Sequence, residues 1–268
     1  MIEKGKTYVV MGLLDCDSIA YAIGQVVEQW GGNVIYTVQN ERMRKIFFDR
    51  NKSWAQEDKD RLNIRYCDVT VEDEVRQVFE DIGPIAGVTH SIAYANPKTC
   101  LGPEFHTSAI EDLKNGFHIS AASLATVARY AQPQMAEGGS IVTLSFAAQV
   151  AFAYYNWMGV NKAALEATVR ALARRHGRDL VRVNAVSAGP LSTKAAGAIP
   201  GFEELGNTWS RISPLPWDPE RDKIEVANAA AFLMGPYAKQ ISGQVIYVDG
   251  GASIIGGELL PHERPGSA

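Results

Sequence analysis

A tyrosine and a lysine stand seven residues apart in Tyr155-Asn-Trp-Met-Gly-Val-Asn-Lys162, a stretch with helical character. Seven residues is about two helical turns, so both side chains share one face. A phenol can donate a hydrogen bond to an oxygen on which negative charge develops, and a nearby ammonium lowers the cost of that charge. The same ammonium can grip the hydroxyls of a ribose. Any amphipathic helix offers such pairs, so the chemistry depends on elements that bring a nucleotide and a substrate alongside.

Those elements alternate from end to end. Apolar runs of strand length occur at Tyr8–Met11, Asn33–Val38, Leu62–Tyr66, Gly87–Ile92, Ser140–Ser145, Val181–Val186 and Gln244–Val248. Helical patterns fall between them, near Ile19–Trp30, Glu41–Asp58, Val71–Asp81, Ile110–Ala131, Tyr155–His176 and Ile224–Met234. The runs are rich in Val and Ile and nearly continuous, as in parallel strands buried on both faces. Strand–helix alternation of this kind predicts an α/β fold: one doubly wound, Rossmann-type domain over residues 1–268, with a seven-stranded parallel sheet covered by helices on both faces. The charge run Glu57–Arg61 reads as a solvated helix end or turn. Two segments break the rhythm, Asn96–Thr107 and Leu191–Pro219. Ligands in this architecture sit beyond the carboxyl ends of the strands, and the second segment is expected to form a substrate lid around 191–219.

The first strand is followed by Gly12-Leu-Leu-Asp-Cys-Asp-Ser18-Ile19-Ala20 and then helix. The usual three-glycine dinucleotide fingerprint is absent. One glycine allows the tight turn, and small residues let a helix N-terminus approach a pyrophosphate with its free N–H groups and positive dipole end. Strand two ends in Gln39-Asn40, with no acidic residue to hold both ribose hydroxyls. Gln39 can bond a 2′-hydroxyl, which favours NADH. Arg42, Arg44 and Lys45 follow, and a guanidinium pairs well with a 2′-phosphate, which keeps NADPH as the alternative. Asp68 and Val69 end strand three near the expected adenine edge, although Asp68 could equally cap the next helix. Ser91, Ile92 and Ala93 end strand four with side chains suited to lying against a cofactor.

Composition narrows the class. The chain has 268 residues, a formal net charge of −4 and 21% charged residues. Phosphate binding needs a basic footprint, so nucleic acid is not the expected partner. No run of roughly 20 apolar residues is present for a membrane span. The N-terminus shows no signal-peptide pattern, and three scattered cysteines read as reduced thiols; both point to the cytoplasm. His90, His106 and His118 have no metal-ligand spacing, and no metal is expected.

Together these residues resemble the short-chain dehydrogenase/reductases and, within them, the enoyl-acyl-carrier-protein reductases. The resemblance covers nearly the whole chain. It rests on Gly12 with Ser18-Ile-Ala20, Gln39-Asn40, Cys67-Asp68-Val69, His90-Ser-Ile-Ala93, Tyr155 and Lys162 with Asn156 and Met158-Gly159, Arg182-Val-Asn-Ala-Val-Ser-Ala-Gly189-Pro190, and Val248-Asp-Gly-Gly251. The wider superfamily places three residues between its tyrosine and lysine; the enoyl reductases place six, as here. Met158 stands where a carbonyl reductase would have its tyrosine.

The resemblance implies a fatty-acid-synthesis reaction: NAD(P)H delivers hydride to the β-carbon of a trans-2-enoyl thioester. Tyr155 would then stabilise the enolate oxygen, and Lys162 would hold the nicotinamide ribose. It places Ile92, Gly189, Pro190 and Thr193 beside nicotinamide and pyrophosphate, and Phe146 and Ala195 with Tyr155 on the substrate side. It implies a thioester of acyl carrier protein or coenzyme A as partner, and a homotetramer. Three departures stand out. Phe146 occupies the place of a frequent second tyrosine, Ser192 that of a frequent arginine, and Glu203 and Glu204 that of basic residues met in several relatives. Like charges there would slow an encounter with an acidic carrier, leaving Lys194, Arg211 or Lys223 to attract it. A reductase of another activated alkene or carbonyl is the alternative enzyme; a cofactor-binding sensor without catalysis is the alternative outside enzymes.

Overall fold

The computed structural model describes residues 1–264. Seven strands form one parallel sheet: β1 (Thr7–Met11), β2 (Asn33–Val38), β3 (Ile64–Tyr66), β4 (Gly87–His90), β5 (Gly139–Ser145), β6 (Val181–Ala188) and β7 (Val245–Val248), in the order β3-β2-β1-β4-β5-β6-β7. The order reverses between β1 and β4, and a crevice opens at such a switch point beyond the carboxyl ends of the strands. In register, Met11 lies opposite His90, which brings Gly12 level with Ser91. Further along, Ser145 lies opposite Ser187 and Ala188 opposite Val248. The ends of β5, β6 and β7 therefore share one rim.

Side chains alternate along each strand, so β1 feeds two cores. Tyr8 and Val10 join a cluster closed by α1 (Ile19–Gln29) and α9 (Lys223–Met234). Val9 and Met11 join the opposite cluster, closed by α4 (Glu72–Ile82), α6 (Ser123–Ala131) and α7 (Asn156–His176). Burial on both faces explains the continuous apolar runs.

The expected helix Glu41–Asp58 is instead broken into α2 (Glu41–Arg44), a π-turn Lys45–Asp49, a loop, and α3 (Gln56–Arg61). Two local forces outweigh its helical pattern. Asn51 Oδ1 accepts from Ser53 N at 2.9 Å, an Asx turn that competes with the helix ladder. Trp54 then inserts beside Tyr21 and Phe48, with ring centroids 4.7 and 4.8 Å away. The charge run lies on α3, where Arg61 bonds Glu28 and Asp58 at the surface. The expected helix Ile110–Ala131 is continuous but consists of α5 (Ile110–Phe117), a π-turn His118–Ala122 and α6. Such wide turns often mark functional sites. The segment after β6 carries a short 3₁₀ turn, Ala196–Ala198, and α8 (Phe202–Ile212). Among the described residues no helix is long and apolar enough to cross a membrane.

Candidate active site

Gly12 closes the crevice at the first turn. Its φ is +89°, and a Cβ there would lie 2.2 Å from the Ser91 carbonyl oxygen, so only glycine fits. The turn is fixed by Gly12 N and Leu13 N donating to Thr37 O. Ser18 caps α1: its hydroxyl accepts from Tyr21 N at 3.2 Å and donates to Asp15 O at 2.7 Å. Ile19 is the first helical residue. A glycine cradle against a helix N-terminus fits the pyrophosphate of a dinucleotide. Asp15, which sequence reading missed, is buried in this turn, and burial pushes its carboxyl above the usual range. A neutral Asp15 would not repel an anion as its ionised form does.

On the adenosine side, Gln39 Nε2 donates to Asp68 Oδ2 at 2.8 Å and joins the ends of β2 and β3. Partial burial pushes Asp68 up, but hydrogen bonds from Thr70 and Gln39 outweigh it and hold the carboxyl below its usual range. Val69 is buried in the core under this edge. Of the three cations after β2, Arg44 pairs with Asp49 and Lys45 with Glu41, while Arg42 lines an open cavity of about 340 Å³ with Lys45 and Arg50. Ser91 and Ile92 are half-buried at the end of β4, and Ala93 is exposed.

At the other rim, Gly189 N donates to Val248 O at 2.9 Å, and a Cβ on Gly189 would meet the indoles of Trp217 and Trp209 below 3.0 Å. Trp217 Nε1 donates to Pro190 O at 2.8 Å. These two tryptophans, expected from the sequence only as core or lid residues, brace the Gly189–Pro190 corner. Their signal was only their position inside the long segment after β6. Thr193 Oγ1 accepts from Ala196 N at 3.2 Å, and Ala195 is exposed beside it. Lys194 lies over the Phe47 ring, 5.3 Å from its centroid, on the adenosine side of the crevice. Arg211 pairs with Glu258, and Lys223 with Asp17.

Tyr155 does not begin the helix but caps it, between Tyr154 and Asn156, whose φ angles of 66° and 36° are left-handed. The loop after β4 holds this corner. Gly102 N donates to Tyr154 O, Asn156 Nδ2 donates to the carbonyls of Gly102 and Glu104, and Trp157 stacks on Phe105 at 4.8 Å. The Tyr155 ring packs against Phe146, with centroids 4.8 Å apart, and burial pushes its phenol well above the ordinary range. Two turns on, Lys162 Nζ donates to Leu144 O at 2.7 Å. Burial lowers Lys162 to about 8, against the opposing pull of Glu166. Phenol and ammonium thus both meet the stretch Leu144–Phe146 at the end of β5. Phe152 and Trp209 cover Phe146, with centroids 5.0 and 5.4 Å from it.

Beneath the rim lies His90, fully buried. Nδ1 lies 3.1 Å from Thr143 Oγ1 and Nε2 lies 2.9 Å from Ser123 Oγ. Burial, helped by the Lys162 charge, lowers it to about 3, so the ring is neutral. His106 and His118 are exposed. Among the described residues no group of three His, Cys, Asp or Glu could hold a metal.

A doubly wound sheet with a glycine turn against a helix N-terminus, and a phenol and an ammonium at its rim, defines a nicotinamide-dependent oxidoreductase of the short-chain type. The enoyl-(acyl carrier protein) reductase family model matches residues 12–253. The chain is 37% identical to the enoyl-[acyl-carrier-protein] reductase [NADPH] of Staphylococcus aureus strain MRSA252, over 94% of this chain and 98% of that one. It is also 37% identical to the enoyl-[acyl-carrier-protein] reductase [NADH] of Bacillus cereus, with the same coverage. Two solved structures superpose closely. The Bacillus cereus enzyme with NADP+ and indole naphthyridinone has a TM-score of 0.84, at 36% identity over 94% and 98% of the two chains. The Anaplasma phagocytophilum enzyme with NAD has a TM-score of 0.86, at 31% identity over 96% and 97%. The chain belongs to the enoyl-acyl-carrier-protein reductase family, oxidoreductases that reduce a carbon–carbon double bond with NADH or NADPH.

Proposed function

We propose that this chain reduces the trans-2 double bond of an enoyl thioester, carried on acyl carrier protein in fatty-acid synthesis, with Tyr155 and Lys162 as its working pair. Bound nicotinamide supplies the hydride. The observation that carries the assignment is the convergence of Tyr155 and Lys162 on Leu144–Phe146. Tyr155, with its pKa raised by burial, stays protonated and donates a hydrogen bond to the thioester oxygen as charge builds there. Lys162 holds ribose hydroxyls. Gly12, Ser18 and Ile19 receive the pyrophosphate; Gln39, Asp68 and Val69 form the adenosine end. Ile92, Gly189, Pro190 and Thr193 line the nicotinamide and pyrophosphate, with Ser91 and Ala93 near the phosphates, and Phe146 and Ala195 bound the substrate.

Residues 191–219 act as the lid of a single domain. Its α8 places Trp209 over Phe146, so an acyl chain enters when α8 moves. Gln39 favours NADH, and Arg42 beside its open cavity is the group that would receive a 2′-phosphate. Exposed Glu203 and Glu204 on α8 repel an acidic carrier, which favours docking away from this helix or a coenzyme A thioester. Exposed Phe105, Ile110, Phe117 and Val160, on or beside α5 and α7, fit burial in a homotetramer. The proposed compartment is the cytoplasm.

The test is NADH and NADPH oxidation, followed by absorbance, with crotonyl-CoA, longer enoyl-CoAs and enoyl carrier protein. Turnover with enoyl thioesters is expected. Good cofactor binding without turnover of any enoyl thioester would overturn the proposal and leave a reductase of another activated alkene or carbonyl, or a sensor.

A further inference from the structure

Glu166 is a buried carboxylate that the reaction as described leaves unused. It sits one turn beyond Lys162 on α7, and both are less than a tenth exposed. The two side chains grasp adjacent residues of β5. Lys162 Nζ donates to Leu144 O at 2.7 Å, and Ser145 Oγ donates to Glu166 Oε1 at 2.7 Å. The next residue, Phe146, carries the Tyr155 ring. One helix face therefore clamps the strand end with opposite charges, at the place where the nucleotide ribose and the substrate oxygen are to be held. Burying two charges one turn apart is costly unless each is satisfied. A glutamine would satisfy Ser145 as well, so the hydrogen bond alone does not require a carboxylate. Charge is what glutamate adds.

We infer that Glu166 is a positioning residue that keeps Lys162 protonated for ribose binding, acting through its charge and through the Ser145 clamp. The inference rests on the assignment of Lys162 to the ribose. The groups around the ammonium leave it few other sources of help. Tyr155, capping α7, is neutral, and His90 on β4 is held neutral by burial. Beyond Glu166, the neighbouring charge is Arg170 on the same helix, which helps to keep the carboxylate ionised; Tyr247 on β7 adds a phenol raised by burial. Burial alone pushes Lys162 towards losing its proton near the working pH, and Glu166 opposes it.

The test is the pH dependence of NADH affinity, read from nicotinamide fluorescence on the full chain between pH 6.5 and 10. In the unaltered protein, affinity should fall on the alkaline side as Lys162 deprotonates. In Glu166→Gln, which keeps the shape and a partner for Ser145, that fall should move acidward by about one pH unit. Glu166→Asp should move it back in part. Ser145→Ala removes the donor that keeps Glu166 ionised, so it should shift the fall in the same direction by less; it serves as the second variant should Glu166→Gln fail to fold. A folded variant with an unshifted midpoint overturns the role of Glu166. An affinity flat with pH in the unaltered protein, and unchanged in Lys162→Ala, overturns instead the ribose assignment beneath it.

Discussion

Tyr155 is aimed by a corner that no ordinary helix start would provide. Two left-handed residues, Tyr154 and Asn156, flank it, and a non-glycine residue in that region costs on the order of 1–3 kcal/mol. Bonds to Gly102 and Glu104 and the Trp157–Phe105 stack hold the corner in place. Tyr155→Phe removes only the phenol oxygen and leaves the ring against Phe146. Turnover should fall by about 10²-fold, the usual loss when one donor to a developing oxyanion is removed, with NADH affinity nearly unchanged. Steady-state kinetics beside fluorescence titration checks this, and an equal loss in both would remove Tyr155 from its role. Lys162→Ala should instead weaken NADH binding and turnover together. The pair was legible because seven residues is a helical distance. The strained corner was not, because it depends on a loop more than 50 residues away in sequence. Glu166 was missed because it follows helical spacing like any other position on α7, and only burial reveals it.

Elements govern access. α8 lies over the site through Trp209, which is almost fully buried against Phe146 and Phe152 and donates from Nε1 to Asp249 O at 3.0 Å. Truncating such a residue removes packing as well as a hydrogen bond. Trp209→Ala should therefore cost about 3–5 kcal/mol of stability in denaturant titration. It should also raise the KM for enoyl thioester more than that for NADH; equal changes in both would argue against a lid that serves substrate alone. All seven strands could be placed from apolar runs, with ends adjusted by one or two residues, because doubly buried strands are the least ambiguous signal in this fold. The stretch 41–62 was harder. Its charged pattern suits a helix, while Asn51 and the buried Trp54 decide otherwise through contacts with Tyr21 on α1. The segment 191–219 was marked by its length and prolines, but its tryptophans gave no local sign of bracing Gly189 and Pro190.

At the scale of the whole molecule, the sheet separates two cores and carries a neutral histidine at its centre, and this makes global stability sensitive to mild acid. His90 has a folded-state value lowered to about 3 by burial and by Lys162, against about 6.5 in an unfolded chain. Between these values the unfolded state binds a proton that the folded state refuses. Stability contributed by the neutral ring is complete above about pH 6.5 and is lost as pH falls towards 3. Asp68, Glu72 and Asp112 are held below their usual range, so their stabilisation is lost mainly below about pH 4.5. Asp15 and Glu166 are raised and act with the opposite sign, favouring the folded state as they take up a proton. The shift of His90 is the large one among these groups, so it should dominate across the interval from about pH 6.5 to 4.5. Denaturant midpoints at fixed protein concentration should fall across it in the unaltered chain. His90→Gln, although less stable at pH 7 through loss of the bonds to Thr143 and Ser123, should show a clearly flatter profile. Parallel profiles for the two proteins would mean that the buried ring accepts its proton without unfolding, and that Lys162 and the apolar strand end press on it far less than their positions imply.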